Sequence, residues 1–103
     1  MTETPSHRRA KAQAAGRQGE TEVPLRGGQR LDALSAHGRA TEIERSDNPA
    51  ALKQAACRLL AANASQRVLK VPQPNMPAAA AAMRKVGAHG TVTNMGGTKR
   101  RSV

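Results

Sequence analysis

Residues 29–45 read Gln29-Arg30-Leu31-Asp32-Ala33-Leu34-Ser35-Ala36-His37-Gly38-Arg39-Ala40-Thr41-Glu42-Ile43-Glu44-Arg45. Gln29 to Leu34 and Ala40 to Arg45 alternate in polarity on either side of a Gly-containing loop of hairpin length. A loop of three or five residues pairs Leu34 with Ala40, Asp32 with Glu42 and Arg30 with Glu44. Directly opposed residues share a face of the hairpin. Asp32, Glu42 and Glu44 would then crowd one side, with Leu31, Ala33, Thr41 and Ile43 on the other. A two-residue loop at His37-Gly38 would instead set Asp32 opposite Ile43 and remove the acid pair.

Outward from the hairpin, the chain alternates between strand and helix patterns. On the N-terminal side, Glu20 to Leu25 is β-type, and Pro24 near its end suits an edge strand. Thr4-Pro5 opens a short, basic, Ala-rich helix that stops at Gly16. On the C-terminal side, Ser46-Asp47-Asn48-Pro49 supplies caps for a helix over 49–62, with Leu52, Ala55, Cys57, Leu59 and Leu60 at roughly helical spacing. Arg67 to Pro72 reads as a strand, Pro77 to Val86 as a helix stopped by Gly87, and Gly90 to Met95 as a last strand. The expected fold is one small α/β domain, a mixed sheet with an acidic central hairpin flanked by helices, and basic termini. Residues 1–19 form a basic arm, 20–95 the core, and 96–103 an unstructured basic tail.

Composition narrows the partners. The 103 residues carry a formal net charge of +10, the field of a protein that meets a polyanion such as nucleic acid. With no Phe, Tyr or Trp, base stacking on aromatic rings is excluded, leaving backbone and groove contacts. Arg8, Arg9 and Lys11 near one end and Lys99, Arg100 and Arg101 near the other are candidate phosphate contacts; the alternative is a pair of solvated basic termini. A thin core raises the alternative of a partly disordered chain, and a homodimer or a nucleic-acid complex would add stability. Cys57, the single cysteine, is expected as a small buried hydrophobe, and no Cys/His cluster has zinc-ligand spacing. Without an apolar leader or a long apolar run, the expected location is cytoplasmic, with no membrane partner.

Apposed carboxylates repel, and a divalent cation converts that cost into a set of hard oxygen ligands. The alternative is a solvated acidic face balanced by Arg30, Arg39 and Arg45. An Asp ending one strand, a short hairpin, Glu42-Ile43-Glu44 among apolar positions, then a helix and a strand resembles the core of the PD-(D/E)XK, or restriction-endonuclease-like, nucleases. The lead-in Arg26-Gly27-Gly28-Gln29-Arg30-Leu31-Asp32 is similar to that of small resolvase-like and RecB-like members.

The resemblance implies that Asp32 and Glu42 bind Mg²⁺ or Mn²⁺ and that Asp32, Glu42 and Glu44 are catalytic, Glu44 standing where the family usually has a lysine. Lys70 is a possible substitute for that lysine, Glu22 or Glu20 an extra acid, and Gln54 a helix residue of the RecB-like pattern, whose companion Tyr is absent. The implied activity is metal-dependent hydrolysis of DNA in preference to RNA; the alternative is a non-catalytic nucleic-acid-binding protein of the same fold.

Overall fold

Thr4 and Pro5 begin the first helix, α1 (Pro5–Ala15): the Thr4 hydroxyl accepts from the His7 N–H at 3.1 Å and Gly16 ends it. The computed structural model describes residues 3–103. After α1 come β1 (Glu20–Pro24), β2 (Arg30–Leu34) and β3 (Arg39–Ile43), then α2 (Pro49–Ala61), β4 (Gln66–Lys70), α3 (Met76–Val86), β5 (Thr91–Thr93) and β6 (Arg100–Ser102). Asn48 caps α2 through the Ala50 N–H at 2.8 Å, and Gly87, at φ 78°, closes α3 in the left-handed conformation.

The six strands lie in chain order in one mixed sheet. Strands β1, β2 and β3 form an antiparallel meander, β3, β4 and β5 run parallel through helical crossovers, and β6 returns antiparallel. Leu69 and Val92, adjacent across the β4–β5 ladder, and Ala40 on β3 face a core shared with α2 and α3. Helix α1 lies on the opposite face, so the molecule has three layers. Its radius of gyration of 12.2 Å is that of a compact domain of this length, expected near 13 Å, rather than an unfolded chain. No helix among the described residues is long and apolar enough to cross a membrane.

The largest fully buried side chains are Leu31, Leu52, Leu59, Leu69, Met83, Val71 and Val92, and alanines fill the rest. Ala55, Ala56, Ala79, Ala80 and Ala82 allow α2 and α3 to lie close together, which is how a chain without aromatics closes a core.

Two expectations need correction. Cys57 is exposed and Leu60 is 44% exposed, because α2 buries the stripe of Leu52, Ala55, Ala56 and Leu59 instead. Residues 96–103 are not an unstructured tail: β6 pairs with β5, and Val103 exchanges two backbone hydrogen bonds with Gly90. Buried Asn94 organises that turn. Its Oδ1 accepts from the Thr98 and Lys99 N–H groups, and its Nδ2 donates to Gln73 and Thr98.

Gly90, just before β5, leaves no room for a side chain, since a Cβ there would collide with the Arg67 carbonyl of β4. Gly90→Ala is expected to cost about 1–3 kcal/mol through forced strand displacement. A urea titration checks this, and an unchanged midpoint would show that β4 and β5 separate freely.

Candidate functional site

Strands β2 and β3 pair only at Ala33 with Thr41 and Leu34 with Ala40, in the register that opposes Asp32 and Glu42. Each strand continues along its outer neighbour, β2 to Arg30 against β1 and β3 to Ile43 against β4. The sheet therefore forks, and its central backbone groups lose their ladder partners. The two acids fill the fork: the Asp32 N–H donates to Glu42 Oε2 at 2.8 Å, and the Ile43 N–H donates to Asp32 Oδ2 at 2.8 Å. Each carboxylate thus satisfies a main-chain donor that the fork would leave unpaired.

The fork also breaks strand alternation. Leu31 and Leu34 both pack against the α2–α3 core, although a period of two would place them on opposite faces. On β1 the residue between the pairs flanking Asp32 is Glu22, at φ 54°, a left-handed conformation that costs a non-glycine residue on the order of 1 kcal/mol.

Each acid turns its second oxygen toward a basic side chain. Glu42 Oε1 lies 3.4 Å from Arg58 Nη1 on α2, and Asp32 Oδ1 lies 3.9 Å from His7 Nε2 on α1. Glu42 is 2% exposed, and burial first, then the charge of Asp32, push its pKa up to about 8 against the pull of the Asp32 N–H and Arg58. Burial likewise raises Asp32, against the Ile43 N–H, His7 and Lys11. The shift to about 8 favours the protonated form of Glu42 near neutral pH.

Lys11 was expected as an exposed phosphate contact and is instead 3% exposed, with its ammonium 2.6 Å from Glu22 Oε1 and paired with Glu3 as well. Burial alone would lower its pKa, but the hydrogen bonds it donates to Glu22 and Glu3, with their charges, outweigh burial and raise it. A buried ammonium needs such carboxylates, so its charge is committed inside the fold.

Other expected site residues fall elsewhere. Glu44 lies one residue beyond β3; its N–H donates to the Lys70 carbonyl at 3.0 Å, and among the described residues its carboxylate makes no hydrogen bond or ion pair with the other acids. Gln54 is exposed on α2, and Arg58, one turn later, reaches Glu42 in its place. Lys70 sits beside Ile43 in the parallel ladder, on the face opposite Glu42. Arg8, Arg9, Lys99, Arg100 and Arg101 are exposed. Opposed strand residues share a face, so Arg100, beside Thr93, and Arg101, beside Val92, lie on opposite faces of the sheet.

His7, Lys11 and Arg58 form a surround of basic side chains that the hairpin sequence itself does not reveal. Helical spacing carried the signal: His7 and Lys11 are four apart on α1, and Gln54 and Arg58 four apart on α2.

Among the described residues no three His, Cys, Asp or Glu side chains converge as a ready metal site. The acid pair supplies carboxylate oxygens, the donor class that suits Mg²⁺ or Mn²⁺, but the two oxygens free of main-chain bonds are turned apart, Glu42 Oε1 to Arg58 on α2 and Asp32 Oδ1 to His7 on α1, and a shared ion would need them to turn together with further ligands from water or substrate. Compared with known proteins, the chain matches no family model, no curated protein and no solved structure.

Proposed function

We propose that this protein is a metal-dependent phosphodiesterase acting on DNA, with Asp32 and Glu42 as the metal-binding acids. One observation carries the reading: residues ten apart in sequence, on two strands, bring a buried carboxyl, Glu42, and a half-buried one, Asp32, into one sheet fork against their mutual repulsion. Evolving folds avoid apposed buried carboxylates unless a cation or a proton sits between them. The order α, β, β, β, α, β, with the pair on the central hairpin, supports the resemblance to the PD-(D/E)XK core and its restriction-endonuclease-like fold.

A divalent ion held by Asp32 and Glu42 would polarise a phosphodiester oxygen and lower the pKa of a bound water. The chain's own groups do the rest. The Asp32 and Ile43 N–H groups aim the two carboxylates, Arg58 and His7 limit the charge at the fork, and Lys11 holds Glu22 beside Asp32. Glu44 stands apart from the pair, and Lys11 of α1 is committed to Glu22 and Glu3, so the place of the family's lysine is not filled by either.

A second reading has its own support. Each carboxylate bonds a main-chain N–H, the work expected of acids that only brace a fork in a nucleic-acid-binding protein. Cleavage of supercoiled plasmid and of a single-stranded oligonucleotide with Mg²⁺ or Mn²⁺ separates the two. Wild type is expected to cut, and Asp32→Asn and Glu42→Gln, which keep the main-chain bonds, to lose at least about a hundredfold in rate, as when a group acting in the transition state is removed. Salt-sensitive binding without cleavage in the wild type would leave the bracing role alone.

A further inference from the structure

Helix α1 covers β1 to β3 and leaves the rest of that sheet face open. There lies a groove of about 620 Å³, walled on one side by Gln13 and Ala14 of α1 and floored by β3, β4, β5 and β6. Arg39, Lys70 and Arg100 line it together with His89, and no Asp or Glu does, whereas the guanidinium of Arg67 reaches the Leu59 carbonyl on α2. The groove is therefore strongly positive.

Thr93 lies on its floor, 6% exposed, and Thr93 Oγ1 is the one buried side-chain polar atom without a hydrogen-bond partner among the described residues. Buried hydroxyls are nearly always satisfied, so an orphan in a cationic groove points to a partner from outside. Arg100 stands beside Thr93 across the β5–β6 ladder, and Lys70 beside it across β4–β5. One hydroxyl donor is thereby flanked by two cations, the arrangement that receives a phosphate oxygen.

We infer that this groove binds the sugar-phosphate backbone of a single nucleic-acid strand, with Lys70, Arg100 and Arg39 gripping phosphates and Thr93 donating to one of them. The cavity falls within the range of small-ligand sites, about 300–1,000 Å³, so it takes one strand's phosphates and not a duplex. Without aromatic side chains the contacts are to backbone, and binding is indifferent to sequence. The groove lies on the sheet face opposite the Glu42 side chain and meets the acid pair only through the main chain: Thr41 on its floor precedes Glu42, and Lys70 is the ladder partner of Ile43, whose N–H donates to Asp32. The inference rests on the nucleic-acid reading above and gives the chain a strand-holding surface on the face away from the Glu42 carboxylate.

Fluorescence anisotropy of a labelled oligothymidylate, titrated with the full chain in EDTA across a salt series, tests it without cleavage. Lys70→Ala and Arg100→Ala are each expected to lower the salt slope by about 0.7 and the affinity about fivefold at 0.1 M salt. Arg84→Ala and Lys85→Ala, exposed on α3 on the other face, should change neither groove binding nor fold by a comparable amount.

Thr93→Val separates binding from folding, since removing an orphaned hydroxyl should leave the melting temperature unchanged or higher while affinity drops. Equal affinity in wild type, Thr93→Val and Lys70→Ala would overturn the groove assignment, and displacement of the oligonucleotide by an equal concentration of inorganic phosphate would overturn the choice of a polymer. Asp32→Asn leaves this binding intact if both readings hold, and a groove that binds in a protein that never cuts would remove the nuclease reading alone.

Discussion

Replacing Glu42 with glutamine is expected to remove a loss of folding stability that the wild-type protein suffers as the pH rises to about 8. In the unfolded chain this carboxyl ionises near 4.5, whereas in the fold burial and the charge of Asp32 keep it protonated up to about 8. Between those values the native state binds one more proton than the unfolded state, so stability falls with rising pH. The contribution is fully present below the lower value and gone above the upper one. At about 1.4 kcal/mol per pH unit, the whole change is on the order of several kcal/mol, a large part of the stability of a small domain.

Glutamine is neutral throughout and still accepts from the Asp32 N–H. The variant should match wild type at acid pH and exceed it above pH 8, as read by urea unfolding in EDTA. Asp32, whose pKa is also raised, leaves a smaller slope of the same sign in the variant. Parallel pH profiles for the two proteins would sink the idea of a strained acid pair. Magnesium added at alkaline pH should stabilise the wild type by linkage and leave Glu42→Gln unmoved. Equal effects on both proteins would argue that the fork is no metal site.

The second large effect is expected in the core. Leu69 is fully buried at the centre of β4, between Glu42 and Val92 in the ladders. Leu69→Ala should cost about 2–5 kcal/mol in lost transfer energy and cavity formation. A domain of this size is stabilised by roughly 5–15 kcal/mol, and its melting temperature drops by about 4–8 °C per kcal/mol, so the variant should be largely unfolded at 37 °C or close to it. Leu60→Ala, on the exposed side of α2, should shift the midpoint little, within about 0.5 kcal/mol. Similar losses for both substitutions would mean that the core is not where the structure puts it.

Helix and strand positions were legible because local chemistry determines them: Thr4-Pro5 and Asn48-Pro49 start helices, Gly16 and Gly87 stop them, and Pro24 marks an edge. The hairpin register was legible too, since loop length constrains which residues face each other across two strands close in sequence. What escaped was the last strand. Lys99-Arg100-Arg101 looks like a solvated tail on composition, and only the Asn94 side chain, bonding four residues ahead, folds it back onto β5. The buried face of α2 was misjudged by including Cys57 and Leu60, because apolar residues occur on both sides of that helix and only the packing of α3 selects one.

The sequence alone determined the order of elements up to β5, a choice of hairpin registers of which one opposes Asp32 and Glu42, and the positive field that suits a polyanion. Each depends on neighbours in the chain or on a sum over it, and neither needs long-range contacts. The tertiary structure decided where β2 and β3 part, that the acids turn inward to cap the fork, and that Lys11 is buried while Arg58 and His7 flank the pair. It also decided that α1 stops short of β4 to β6, opening a basic groove over an orphaned hydroxyl. Those outcomes depend on burial and on groups far apart in the chain meeting in space, which no local pattern encodes.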